Sequence, residues 1–135
     1  VDVEDVRREV EMLALARRYF AVQEVEELQS LPEAQQRERF FALWTLKEAY
    51  VKARGLGMHL SLQSFGFTFS TGQAPGLHHP DQPTADAQWG FGQLDFDTHF
   101  RIAVSQQIGG GQPLNLQVFT GVPLVEFEAL PECLQ

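Results

Sequence analysis

The sequence predicts an α+β domain, with helices through the first half and an antiparallel sheet after them. Three observations carry that expectation. Apolar residues recur at spacings of three and four as far as Arg54, glycines at 55 and 57 close that pattern, and from Ser64 onward the alternation has a period of two.

Taken in order, Val1-Asp2-Val3-Glu4 alternates apolar and acidic residues. Read as the end of a strand, it sends Val1 and Val3 to one face and both carboxylates to the other. A pattern already under way at the first residue reads as a cut or an internal boundary. Asp5 stands in the N-cap position of a first helix whose broad face takes Val6, Val10, Leu13, Ala14 and Phe20. Arg7, Arg8, Arg17 and Arg18 decorate its remainder. A shorter helix covers residues 23–29, Leu31-Pro32 breaks it, and the third and longest runs over residues 33–54. Along that helix Phe40, Leu43, Trp44, Lys47 and Val51 fall three or four apart. Residues 64–70 then alternate as a strand, and residues 71–87, with three prolines and two glycines, read as a long loop. Residues 88–95 and 99–106 are expected as two strands joined by a turn at Asp97-Thr98. A further strand is expected over residues 115–120, after the flexible Gly109-Gly110-Gly111 link.

With 135 residues, 44% hydrophobic and 11% aromatic, the chain suffices for one core, so residues 1–135 are expected as a single domain. No apolar stretch approaches the ~20 residues that span a bilayer, so no membrane role is expected. The single Cys133 has no partner for an internal disulfide and no ligand-spaced neighbour, which suits a reducing cytoplasm. A net charge of −8 argues against a general nucleic-acid binder. Nine of the ten basic residues lie in the first 54 positions, so a phosphate-bearing ligand should meet that third of the chain.

The segment richest in chemistry is Trp44-Thr45-Leu46-Lys47-Glu48-Ala49-Tyr50-Val51-Lys52-Ala53-Arg54-Gly55-Leu56-Gly57. Glu48 and Lys52, four apart, share a helix face with Trp44. Such a pair is in most proteins a solvated ion pair worth a few tenths of a kcal/mol. Asp2 and Glu4 place two carboxylates on one strand face about 7 Å apart, given a rise of ~3.3 Å per residue. With Glu48 they make three hard oxygen ligands and no soft donor, a set that suits Mg²⁺. The plainer reading, that Asp2 and Glu4 are ordinary exposed strand residues, stands beside it, because short acidic alternations are common.

A Val-Asp-Val-Glu strand followed about forty residues later by Trp-Thr-Leu-Lys-Glu-Ala-Tyr-x-Lys-x-x-Gly-x-Gly resembles the paired signatures of 4'-phosphopantetheinyl transferases. Arg18-Tyr19-Phe20-Ala21-Val22-Gln23-Glu24 is similar to that family's segment of an arginine, two aromatics and a glutamate. Trp44 ahead of the Lys-Glu pair looks like the surfactin-synthetase-activating branch. The resemblance covers roughly residues 1–107, and its motifs lie before Gly57.

That resemblance implies transfer of the phosphopantetheine arm of coenzyme A to a serine of an acyl or peptidyl carrier protein, releasing adenosine 3',5'-bisphosphate. It implies Asp2, Glu4 and Glu48 as Mg²⁺ ligands, Glu48 also as the group that helps deprotonate the serine, and Lys52 as the stabiliser of the leaving phosphate. Lys47 matches a residue used near the phosphates, and Glu24 another acidic residue of the site. Surfactin-type members are pseudo-dimers of two similar α+β halves with coenzyme A in the cleft. This chain corresponds to the C-terminal half, without the first half and without the glycine that precedes the Val-Asp pair. Two expectations follow: a transferase acting as a homo-oligomer or with its missing N-terminal half, or a catalytically silent fragment or carrier-protein-binding module that keeps the fold.

Overall fold

The computed structural model describes residues 1–109, 112–122 and 126–129. Cys133 and two glycines of the expected link, Gly110 and Gly111, lie outside the described residues.

The chain opens on strand β1 (Asp2–Asp5), followed by helices α1 (Met12–Tyr19), α2 (Val22–Ser30) and α3 (Glu33–Arg54). The last two match the expected helices within a residue at each end. The first does not: it starts at Met12, and Asp5 belongs to β1. The Asp5 carboxylate accepts from the backbone N–H and guanidinium of Arg7, so it caps a local turn. That turn is fastened by Arg37 of α3, which donates to the carbonyls of Val6, at 2.6 Å, and Arg8. Gly55 closes α3 at φ 65°, the left-handed position that glycine reaches without steric cost.

Two short 3₁₀ turns, Gly57–His59 and Leu62–Ser64, lead to strand β2 (Gly66–Thr68). The expected long loop is interrupted twice, by β3 (Gly76–His78), which pairs antiparallel with β2, and by the single-turn helix α4 (Ala85–Gln88). Three prolines masked both elements because each is only three or four residues long. Strands β4 (Trp89–Phe96) and β5 (Phe100–Gln107) form a hairpin through Asp97 and Thr98, at φ 51° and 53°. Two positive φ values in succession are the geometry whose twist matches paired strands. The strand expected over residues 115–120 is found instead as β6 (Phe119–Val122), paired with β7 (Glu126–Ala129).

The main sheet has the order β1-β5-β4, entirely antiparallel, so the first strand returns to lie beside the fifth. Helix α3 packs across one face of it. The core built around this contact takes in Phe41, Leu43, Leu46, Ala49, Tyr50, Phe91 and Ala103, all nearly or wholly buried. Each buried Leu or Phe contributes on the order of 1.5–3 kcal/mol. Gln93 anchors the sheet to the helix, donating to the Ala42 carbonyl at 2.9 Å and the Thr45 hydroxyl at 3.2 Å. A second aromatic layer of Phe20, Phe40 and Trp44 joins α1 to α3, with Tyr19 edge-on to Trp44 at 5.8 Å.

Candidate active site

The pairing of β1 with β5 sets Asp2 opposite Ala103 and Glu4 opposite Arg101. Ala103 is completely buried beneath α3, so Asp2 and Glu4 share the face that looks toward that helix, while Val1 and Val3 are exposed. Asp2 is therefore no ordinary exposed strand residue: it is 5% exposed. Its Oδ1 accepts from Lys52 Nζ at 2.6 Å, whereas its Oδ2 is buried with no hydrogen-bond partner among the described residues. Glu4 is bridged at 3.4 Å by Arg8.

Glu48 approaches the same place from α3. Burial pushes its carboxyl above the ordinary range, and the negative charges of Asp2 and Glu4 add to that push. Lys52 is raised, chiefly by its hydrogen bond to Asp2. The electrostatic content is plain: the charges of Asp2 and Glu4 act on Glu48 across the β1–α3 seam, and Lys52 is the cation bonded to the most buried of the three carboxylates.

This is not a closed metal cage. Among the described residues, no three side chains of ligating type stand close enough together to enclose an ion. The chemistry of the donors nonetheless fits a hard divalent cation. All three are carboxylates, one buried oxygen lacks a partner, and Glu48 is disfavoured as an anion by charges that a cation would offset.

Beside the cluster lies a groove of about 780 Å³. Glu48, Val51 and Lys52 form one wall, Arg18 and Tyr19 another, and the segment from Leu60 to Gln63 the third. The walls are tied together: Gln63 donates to the Arg18 carbonyl at 2.7 Å, and the Arg18 guanidinium lies over the Tyr19 ring at 5.2 Å. The groove is thus mostly apolar, with the charged groups of Arg18, Lys52 and Glu48 on its walls. A larger cavity of about 1050 Å³ runs between β4, the segment from Phe69 to Pro75 and the first half of α3. It does not include Glu48, and its arginines are engaged with Glu27, Glu38 and Asp95.

Lys47 faces elsewhere. Adjacent to Glu48 in sequence, it points into the core and is completely buried. Its ammonium pairs with Glu24 at 2.8 Å and donates to the carbonyls of Leu62 and Phe65 at 2.7 and 2.6 Å. An ammonium has three protons, so none is left for a phosphate. The expectation that Lys47 lies near phosphates is redirected: 100° per residue turns position 47 inward when position 48 faces the groove. Glu24 is equally satisfied, accepting from the Ala21 N–H at 3.0 Å and the Phe67 N–H at 2.7 Å. Burial pushes Glu24 up and Lys47 down, and their mutual attraction opposes both shifts. The pair joins the start of α2, the middle of α3 and the segment that walls the groove.

Sequence reasoning did not anticipate Arg37, whose two carbonyl contacts fix the turn behind β1; a helical arginine carries no signal of its long-range partner. In the segment after β2, the adjacent His78 and His79 differ in burial, His78 being exposed and His79 buried.

The profile of the 4'-phosphopantetheinyl transferase superfamily matches residues 1–105. Similar proteins include the 4'-phosphopantetheinyl transferase HetI of Nostoc sp., 45% identical over 58 residues, which are 43% of this chain and 24% of HetI. The 4'-phosphopantetheinyl transferase psf-1 of Bacillus pumilus is 36% identical over 81 residues, 60% of this chain and 34% of that protein. The 4'-phosphopantetheinyl transferase Sfp of Bacillus subtilis is 30% identical over 69 residues, 51% of this chain and 31% of Sfp. The chain spans about a quarter to a third of the length of these curated relatives.

Proposed function

The chain belongs to the 4'-phosphopantetheinyl transferase superfamily, and we propose that it supplies the acid–lysine half of a surfactin-type transferase site. The substrate is coenzyme A, and the acceptor is a serine of an acyl or peptidyl carrier protein. The serine oxygen forms a new bond to the β-phosphorus, the bond from that phosphorus to the bridging pyrophosphate oxygen breaks, and adenosine 3',5'-bisphosphate leaves. The serine proton passes to a carboxylate or to solvent.

One observation carries this reading: Glu48 and Lys52 line a groove that also presents Arg18, while Glu48 feels the charges of Asp2 and Glu4 and Lys52 bonds the buried Asp2. Asp2, Glu4 and Glu48 would hold Mg²⁺, which when bound supplies neutralisation of the pyrophosphate charge. Glu48, half-buried and raised in pKa, is the group suited to take the serine proton directly or through water. Lys52, mostly exposed along its side chain, can follow the charge that develops on the leaving phosphate. The apolar stretch of the groove at Val51, Leu60 and Leu62 orients an uncharged portion of a substrate and excludes water from it. No helix among the described residues is long and apolar enough to cross a membrane.

The chain then acts as one half of a pseudo-dimeric enzyme, completed by an N-terminal half or by a second copy. A silent carrier-binding module is the second reading, favoured by the absence of a closed three-ligand set among the described residues. Intact mass spectrometry of an apo-carrier protein incubated with this chain, coenzyme A and Mg²⁺ decides between them. A gain of one phosphopantetheine mass, abolished by EDTA, is the expected outcome, with a separately expressed N-terminal half added if the chain alone is silent. No gain in either mixture would leave the module reading.

A further inference from the structure

We propose that Lys52 is the resident counter-cation of the carboxylate cluster: its ammonium holds Asp2 in the metal-free chain and leaves Asp2 when a divalent cation enters. This rests on the metal reading above and adds an exchange that the reading does not require.

The geometry is specific. The Asp2 side chain is 6% exposed and its contact with Lys52 is 2.6 Å, while the Lys52 side chain is 54% exposed. A buried carboxylate is thus matched to a cation whose own stem lies largely in solvent. The anion is fixed and the cation can swing. Asp2 Oδ2 is left buried without a partner among the described residues, so one lysine does not saturate the acid that it holds. Glu48 feels Asp2 and Glu4 as like charges, and Lys52 offsets only part of that repulsion. Arg8, which is mostly exposed, bridges Glu4 at 3.4 Å and makes no ion pair with Asp2 among the described residues.

An ion with two charges that takes oxygens from Asp2 and Glu48 together outcompetes one ammonium bonded to one oxygen. It also repels that ammonium once bound. Lys52 lines the groove beside Glu48, so release from Asp2 delivers a free cation to the wall where a substrate phosphate would lie. Loading of the metal and arming of the lysine would then be one event. In the absence of metal the same contact keeps the buried Asp2 charge compensated, so the strand stays docked on α3.

The test is calorimetric titration of Mg²⁺ alone into the wild-type chain, Lys52→Met and Lys52→Arg, with melting curves of each in EDTA. Removing a competing, partly exposed charge is expected to tighten Mg²⁺ binding roughly fivefold in Lys52→Met, the scale of a surface ion pair. Lys52→Met is also expected to melt lower than wild type in EDTA and to gain more from Mg²⁺. Lys52→Arg keeps the charge and is expected to bind Mg²⁺ within about twofold of wild type. Equal or weaker Mg²⁺ binding by Lys52→Met would overturn the exchange while leaving the metal site intact. Absence of Mg²⁺ binding in every variant would overturn the metal site and the exchange together.

Discussion

Helix α3 carries two lysine–carboxylate pairs five residues apart, and they share almost nothing but their chemistry. Lys47–Glu24 is sealed, with side chains 0% and 3% exposed, and every proton of the ammonium has an acceptor. Lys52–Asp2 is equally short, yet its lysine is half in solvent and one oxygen of its aspartate is buried without a hydrogen-bond partner among the described residues. Distance therefore says little about role; satisfaction and exposure decide it. The sealed pair can do no chemistry without unfolding its surroundings, so it acts as a clasp. The open pair, beside Glu48 and a groove, has unspent capacity on both partners.

The largest effect that could break this comparison is on the sealed side. Lys47→Met leaves the Glu24 carboxylate buried without its cation and is expected to cost about 3–5 kcal/mol, read as a lowered urea midpoint. Adding Glu24→Gln should recover part of that loss, because the amide oxygen still accepts from a backbone N–H. A loss under about 1 kcal/mol would mean that Lys47 is not sealed. On the open side the expectation inverts. Glu48→Gln removes a like charge from the cluster, so melting should not fall. Transfer to a carrier protein, measured under conditions where the wild type loads it, should drop by about 10²–10⁴-fold.

A smaller effect sharpens where the sealed region ends. His79 stacks on Phe65, the ring over which the Lys47 ammonium sits at 4.4 Å, and neither ring nitrogen has a partner among the described residues. Burial lowers its pKa from the ordinary value of 6.5, with the charge of Arg54 adding to that. The folded chain therefore binds a proton less readily than the unfolded one. The His79 contribution to stability is complete above about pH 6.5 and is lost as the pH falls toward the depressed folded value. Urea midpoints from pH 7 to 5 should drop more steeply for wild type than for His79→Phe; parallel curves would show His79 to be solvated. The smallest expected change is at the β4–β5 turn, where Thr98 is a β-branched residue at φ 53°. Thr98→Gly should stabilise the hairpin by about 0.5–1 kcal/mol without altering transfer, since neither pair touches it.

The open site was far more legible in the sequence than the sealed one. Asp2, Glu4, Glu48 and Lys52 lie on patterned segments, where a strand period of two and a helix step of four state which residues share a face. The structure brings these four to one seam. The family resemblance places Lys47 near the phosphates beside Glu48, although adjacent helical residues diverge by about 100°. Its partner Glu24 is on another helix, and no local period reports a contact across 23 positions. The same limit applies to the fold. Helices α2 and α3 are bounded by Pro32 and Gly55, and the hairpin by a compact turn, so their ends were readable. The short β3 strand and the late start of α1 depend on tertiary pairing and on Arg37, and neither leaves a mark on its own segment.

The most direct test of the distinction is a side-by-side measurement of wild type and Glu48→Gln by intact mass of the carrier protein, with melting curves of the same samples. The account predicts phosphopantetheine loading by wild type with Mg²⁺ and a near-complete loss in Glu48→Gln at an unreduced melting temperature. Equal loading by the two proteins would contradict it, and the chemistry would then have to lie outside the open cluster of α3 and β1.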